Sequence, residues 1–174
     1  MKYYYPNLLN NQNETAKNDI AWAADITEIE LSENKKYQIF LCLDIHTNKI
    51  IAKTSSQNVI ITDAIIKDLK RAIRRRLVDV PKIKTILHTD RGSQFSSEAY
   101  NKFVLEFKDF IDPSMSRENT PTDNAVAERF MRTFKTFKID EKTIEQAIQE
   151  VIISKMSTQS KSSTCTSTIN FYVK

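Results

Sequence analysis

The chain has 174 residues, 40% of them apolar and 28% charged, which suits one packed domain and argues against global disorder. No stretch approaches the ~20 apolar residues that span a bilayer, and Met1–Pro6 carries no cleavable apolar region, so a soluble, unsecreted protein with no membrane partner is expected. A single glycine, Gly92, leaves no dinucleotide fingerprint or phosphate loop and hence no nucleotide cofactor, while two histidines and two cysteines leave no zinc site or disulfide framework.

Residues 1–19 are rich in Tyr, Asn and other polar groups without a period, and read as an N-terminal arm. From Ile20 to Leu31 polar and apolar residues alternate, which predicts a strand. Tyr37–Ile45 is a nearly continuous apolar run, as in a central strand buried on both faces. His46–Asn48 supplies a turn and Lys49–Thr54 a short third strand, so the three form an antiparallel meander. Between Asp63 and Leu77 the period changes: Ile66, Leu69, Ile73 and Leu77 share a helical face, and Lys67, Lys70, Arg71, Arg74, Arg75 and Arg76 form a cluster read as its solvated side. With a net charge of +4, such clusters permit a polyanionic partner without requiring one.

Ile83–His88 predicts a fourth strand leading into Asp90, Ser97–Phe107 a helix, and Phe110–Ile111 a short fifth strand. Thr120-Pro121-Thr122-Asp123 marks a helix start, with Thr120 as capping hydroxyl and Pro121 at the first helical position; the helix is expected to run to about Phe137. Ile144, Ala147, Ile148 and Val151 continue a helical pattern, and residues 154–174 form a Ser/Thr-rich tail expected to be poorly ordered. The order defines an α/β core over residues 20–153 with a mixed sheet.

Three acids stand at positions where rigid elements could make them converge: Asp25 on the first strand, Asp90 past the fourth, and Glu128 in the last helix. Phosphodiester chemistry asks for such a set, because two divalent ions about 4 Å apart neutralise the phosphate and carboxylates are their natural ligands. At 100° per residue, Val126, Phe130, Phe134 and Phe137 fall on one side of that helix, and Asn124, Glu128, Arg132 and Lys135 on the other. Glu128 would then be presented beside two cations able to meet DNA phosphates; an ordinary surface helix, with Glu128 and Arg132 paired at i,i+4, has the same pattern. Asp90, at a strand end beside the only glycine, suits a functional carboxylate and equally suits a turn, and Arg91 a phosphate contact or a surface charge. Asp44 reads as a strand-end acid paired with a cation, and His88 as a packed histidine on the same strand face as Asp90.

Four segments together resemble the catalytic core of bacterial insertion-sequence transposases and retroviral-type integrases. They are Trp22-Ala23-Ala24-Asp25-Ile26-Thr27, Leu43-Asp44-Ile45, His88-Thr89-Asp90-Arg91-Gly92-Ser93-Gln94-Phe95, and Ser114-Met115-Ser116-Arg117 continuing to Asp123-Asn124-Ala125-Val126-Ala127-Glu128-Arg129-Phe130. The resemblance covers roughly residues 20–138. It implies a ribonuclease-H-like fold with a five-stranded mixed sheet flanked by helices, and Asp25, Asp90 and Glu128 as the catalytic triad and ligands of two Mg²⁺ or Mn²⁺ ions. It further implies DNA cleavage and strand transfer on element ends and target DNA, with DNA contacts from Arg91, Arg117, Asn124, Arg132 and Lys135. A homodimer or higher oligomer would hold two DNA ends together, and a bacterial cytoplasmic, nucleoid-associated setting follows. A nuclease of the same fold, or a catalytically idle DNA-binding or interaction fragment of a decayed element, are the alternatives.

Departures from the family pattern carry expectations of their own. Asn119 stands where the family has glycine, and asparagine tolerates the left-handed conformation a turn there needs. The spacing from Asp90 to Glu128 is slightly long, and the added residues are expected in a loop at Lys108–Pro113. No end-reading module precedes residue 20 and no familiar continuation follows Phe137, as expected of a truncated or frame-disrupted core.

Overall fold

The computed structural model describes residues 1–9, 21–30, 36–79 and 84–135. Five strands form one mixed sheet: β1 (Ala21–Glu30), β2 (Lys36–Asp44), β3 (Ile50–Ser56), β4 (Thr85–Thr89) and β5 (Ile111–Met115), in the order β3-β2-β1-β4-β5. Among the described residues three helices accompany it, α1 (Thr62–Asp79), α2 (Glu98–Glu106) and α3 (Ala125–Lys135), the last entered through a 3₁₀ turn at Pro121–Asn124. The expected α/β order and the antiparallel meander β1–β2–β3 are both present. β4 joins β1 in parallel, as a helical crossover through α1 allows.

Strand alternation decides which side of the sheet each residue serves. Trp22 and Ala24 of β1, with Phe40 and Cys42 of β2, face a core closed by Ile65, Leu69, Ala72 and Ile73 of α1 and by Tyr100, Phe103 and Val104 of α2. A run of ring contacts through Phe95, Tyr100, Phe103 and Phe107, edge-to-face at its first pair and tilted at the others, extends that core toward β5. Asp25, one residue out of phase and paired with Leu41, faces the opposite side, where α3 packs on β1 and β2 through Ala127, Phe130 and Met131.

Several expectations are corrected. On α1 the buried stripe is Ile65, Leu69, Ala72 and Ile73 and includes Arg76, which is buried and leaves the exposed cluster. On α3 the buried stripe is Ala127, Phe130 and Met131, with Val126 only half-buried; the side chain of Phe134 and all of Phe137 lie outside the described residues. Thr120 does not cap the helix: its hydroxyl donates to the Glu118 carbonyl instead. The fifth strand starts at Ile111 and runs through Pro113 to Met115, so only Lys108–Phe110 of the expected loop is a turn. Pro113 is tolerated because β5 is the last strand of the sheet; the Met115 N–H, two residues on, points away from β4 to the Pro6 carbonyl, so the missing N–H falls on that outer side.

The first residues are more than a linker. The Tyr3 N–H donates to the Ser96 carbonyl, the Tyr5 hydroxyl to Asn101, and the Leu8 N–H to the Ser114 hydroxyl, so residues 1–9 lie along β5 and α2 as a strap over the open sheet edge. Asn48 and Asn119 both adopt φ of 55°, the latter as expected for the residue standing in for glycine. The helical pattern at Ile144–Val151 and the tail 154–174 lie outside the described residues. No helix among the described residues is long and apolar enough to cross a membrane.

Candidate active site

Asp25, Asp90 and Glu128 open onto one cavity of 480 Å³ between the middle of β1, the end of β4 and the start of α3. Each reaches it for a different reason. Asp25 is delivered by the pleat of β1, and its Oδ1 accepts from the Ile26 N–H at 2.8 Å. Asp90 follows the last residue of β4, and its Oδ1 accepts from the Gly92 N–H at 2.8 Å. Glu128 lies in the first turn of α3, where the helix dipole favours a carboxylate.

Asn124 sets the helix against the sheet. It is buried, and its Nδ2 donates at 3.3 Å to the carbonyl of Ala24, next to Asp25. It lines the same cavity as Glu128, as expected of residues on one side, but it is buried against β1 and does not face outward. Its buried Oδ1 has no hydrogen-bond partner among the described residues. Three carboxylates and a spare amide oxygen are a hard-oxygen donor set of the kind Mg²⁺ and Mn²⁺ prefer, so the residues present fit such an ion. Among the described residues no three Asp, Glu, His or Cys groups are drawn close enough to enclose one.

The arginines are held in place by the protein. Arg91 donates from Nε to the Ser116 carbonyl at 2.9 Å, lies 3.6 Å from Glu118, and stacks over Tyr4 at 5.2 Å. Arg117 grips Asp123 with Nε and Nη2 while its own N–H donates to the same carboxylate. That triple contact holds the Asp123 carboxyl well below the usual carboxylate range. The Asp123 side chain is only 4% exposed whereas Arg117 remains 58% exposed at the cavity rim, so the pair ties the turn before α3 while leaving part of the guanidinium open. Arg132 is exposed on α3, and the Lys135 side chain lies outside the described residues.

His88 is fully buried between two serines, its Nδ1 2.8 Å from Ser114 Oγ and its Nε2 3.1 Å from Ser116 Oγ. The Ser116 hydroxyl donates to the Thr89 carbonyl at 3.5 Å, so Ser116 accepts from the ring's Nε2–H and Ser114 donates to Nδ1. Burial lowers its pKa to about 4, and it is a neutral packing residue as expected. Asp44 organises the β2–β3 turn, its Oδ1 accepting from the Thr47 N–H at 2.6 Å and the Thr47 hydroxyl at 2.8 Å. Sequence reasoning missed Glu118, a fourth carboxylate at the cavity, and the positioning roles of Tyr4, Ser116 and Asp123. Ser116 and Asp123 sit inside the strings that carried the resemblance; nothing local in the sequence marks Tyr4.

A three-strand meander extended by two parallel strands defines a ribonuclease-H-like fold. The same fold occurs in the catalytic domain of Mos1 mariner transposase (TM-score 0.58, 12% identity, covering 80% of this chain and 70% of that one). It occurs also in the HTLV-2 integrase catalytic core domain in complex with magnesium (TM-score 0.51, 15% identity, 79% and 86%). The integrase core domain family matches residues 15–121, and the chain belongs to that family. The match takes in Asp25 and Asp90 and stops short of α3.

Among its relatives, the transposase for insertion sequence element IS904 of Lactococcus lactis is 29% identical over 149 residues, covering 84% of this chain and 56% of that protein. The putative transposase InsK for insertion sequence element IS150 of Escherichia coli is 28% identical over 138 residues, covering 78% and 46%. The chain thus spans about half the length of these relatives. An uncharacterized transposase-like protein of Haemophilus influenzae is 30% identical over 152 residues, 82% of this chain and 67% of that one.

Proposed function

We propose that this chain is a transposase-type polynucleotidyl transferase core that cleaves DNA and joins a freed 3′-hydroxyl to target DNA. The observation that carries the reading is the convergence of Asp25, Asp90 and Glu128 from three separate elements on one cavity walled by Arg91 and Arg117. Asp25, Asp90 and Glu128 would hold two divalent ions, with Asn124 Oδ1 as a further oxygen. When bound, the ions supply charge neutralisation at the phosphate and lower the pKa of the attacking hydroxyl or water.

The chain's own residues do the rest. The Gly92 N–H keeps one Asp90 oxygen engaged, aiming the other at the cavity. Arg91, braced by Ser116 and Tyr4, and the exposed part of Arg117 offer guanidinium N–H groups to non-bridging phosphate oxygens. A water oxygen attacks phosphorus and the bridging oxygen leaves as the 3′-hydroxyl; that hydroxyl then attacks a target phosphodiester in the same sense. His88 stays out of the proton traffic because it is neutral and sealed between Ser114 and Ser116. DNA ends and target are the substrates, at least two cores meet to join two ends, and the nucleoid is where such a protein works.

Purified chain with Mn²⁺ or Mg²⁺ should nick or join duplex DNA carrying the element's ends, and Glu128→Gln should reduce this by at least 100-fold while leaving the fold intact. Equal activity in the variant would sink the assignment. DNA binding without chemistry in both proteins would identify an idle fragment.

A further inference from the structure

The exposed side of α1 is built from like charges. Lys67, Arg71, Arg74 and Arg75 are all exposed and line a single surface groove of 440 Å³. At 100° per residue they fall within roughly one quadrant of the helix, opposite the buried stripe of Ile65, Leu69, Ala72 and Ile73. Two of their spacings, 67 to 71 and 71 to 75, are i,i+4, where like charges destabilise a helix by roughly 0.2–0.5 kcal/mol per pair. Nearby acids offset this only in part. Asp68 reaches Arg71 at 3.3 Å but also accepts from Thr54, and Glu106 is engaged by Lys70. Asp63 lies one turn upstream of Lys67 on the same side. The like-charge repulsion along this ridge is therefore only partly compensated within α1.

We propose that this ridge is a second DNA-binding surface, which grips the phosphate backbone of a duplex segment on the face of the sheet opposite the candidate active site. By strand alternation α1 packs on the side of Trp22, Ala24, Phe40 and Cys42, whereas Asp25 and α3 lie on the other. From Lys67 to Arg75 the helix rises about 12 Å. One DNA strand carries a charge every ~3.4 Å of axis, so the ridge spans roughly three phosphates of one strand. The groove is lined by four long cations and carries no carboxylate or amide, so the contact proposed is with phosphates and is largely independent of sequence. A segment held here cannot be the one in the active site. It is a second stretch of the same duplex or of the target, which the ridge keeps near the core. The inference rests on the reading of this chain as a DNA-acting enzyme.

The test is duplex binding by the full chain without metal, so that no chemistry occurs, titrated from about 50 to about 200 mM salt. Parent protein is compared with the quadruple variant Lys67→Gln, Arg71→Gln, Arg74→Gln, Arg75→Gln; glutamine is a good helix former, and a thermal melt checks that α1 persists. The plot of log affinity against log salt should become shallower by about 3 to 4, so the parent loses roughly 100-fold more affinity across that range than the variant does. Equal slopes and affinities overturn the proposal. So does an unchanged slope with an altered light-scattering mass, which would make the ridge a protein contact. Cleavage with metal, compared between the parent and Glu128→Gln, tests the active-site reading separately; if cleavage proves not to depend on Glu128 but the slope difference at the ridge remains, the active-site reading fails and the ridge stands.

Discussion

A Cβ placed on Gly92 would lie 2.9 Å from Oδ1 of Asp90, closer than real Cβ contacts come. The obstacle is the movable end of a side chain, so Gly92→Ala is expected to unfold little and instead push the Asp90 carboxylate off its bond to the residue-92 N–H. Melting should change by less than about 1 kcal/mol, whereas Mn²⁺ affinity, read by calorimetry, should fall about 10-fold, the usual consequence of losing a support behind a metal ligand. An unchanged affinity would show that Asp90 does not depend on this glycine.

Divalent metal should stabilise the protein. At 100 times its dissociation constant an ion that binds only the folded chain adds about 2.7 kcal/mol, an upward shift of several degrees in a thermal melt. Asp90→Asn and Glu128→Gln should each remove most of that shift; a full shift in both variants would place the metal elsewhere.

Asn124→Ala removes the bond to the Ala24 carbonyl that joins the start of α3 to β1 beside Asp25. A buried carbonyl left without its donor costs about 1–3 kcal/mol. Phe130→Ala, which empties a fully buried site under the same helix, should cost about 3–5 kcal/mol. Urea denaturation of both variants checks the order; a smaller loss for Phe130→Ala would mean that α3 is not anchored there.

His88 contributes to the pH dependence of the metal-free protein between about pH 4 and 7. Its pKa is lowered to about 4 by burial, so the unfolded chain binds the proton more tightly than the folded one. The stability it contributes is fully present above about pH 6.5 and is lost as pH falls toward 4, a change of about 3 kcal/mol at most. Denaturation at pH 4.5 and 7 with EDTA present measures it, and His88→Gln should flatten the difference. A chain equally stable at both values would contradict the buried neutral ring.

Tyr4 supports Arg91 from the strap, its ring 5.2 Å from the guanidinium. A partly exposed contact of this kind contributes about 0.5–1 kcal/mol, so Tyr4→Ala should lower DNA cleavage about 2- to 5-fold while Tyr4→Phe, which keeps the ring, should not. Equal losses in the two variants would point to the hydroxyl instead.

Much of this protein is legible locally. Alternation over Ile20–Leu31, the apolar run Tyr37–Ile45 and the helical period of Asp63–Leu77 each report a pattern that burial imposes on neighbouring residues, so the α/β order could be read from them. The acids at 25, 90 and 128 were marked by their flanking strings, and the need for an asparagine at position 119 by the steric rule for positive φ. What only the tertiary structure decided are relations between residues far apart in the chain. Arg76 and Arg75 look alike in sequence, yet one is buried and the other exposed, because the docking angle of α1 sets the edge of its buried stripe. Asn124 appeared to face outward with Glu128, but it is buried against β1, where it bonds the Ala24 carbonyl 100 residues away in the chain. Arg91 and Tyr4 meet only because the strap crosses β5. Side-chain period fixes a residue's phase on its own element; where that element sits against the others, and hence which acids share the cavity, is set by packing that no local window contains.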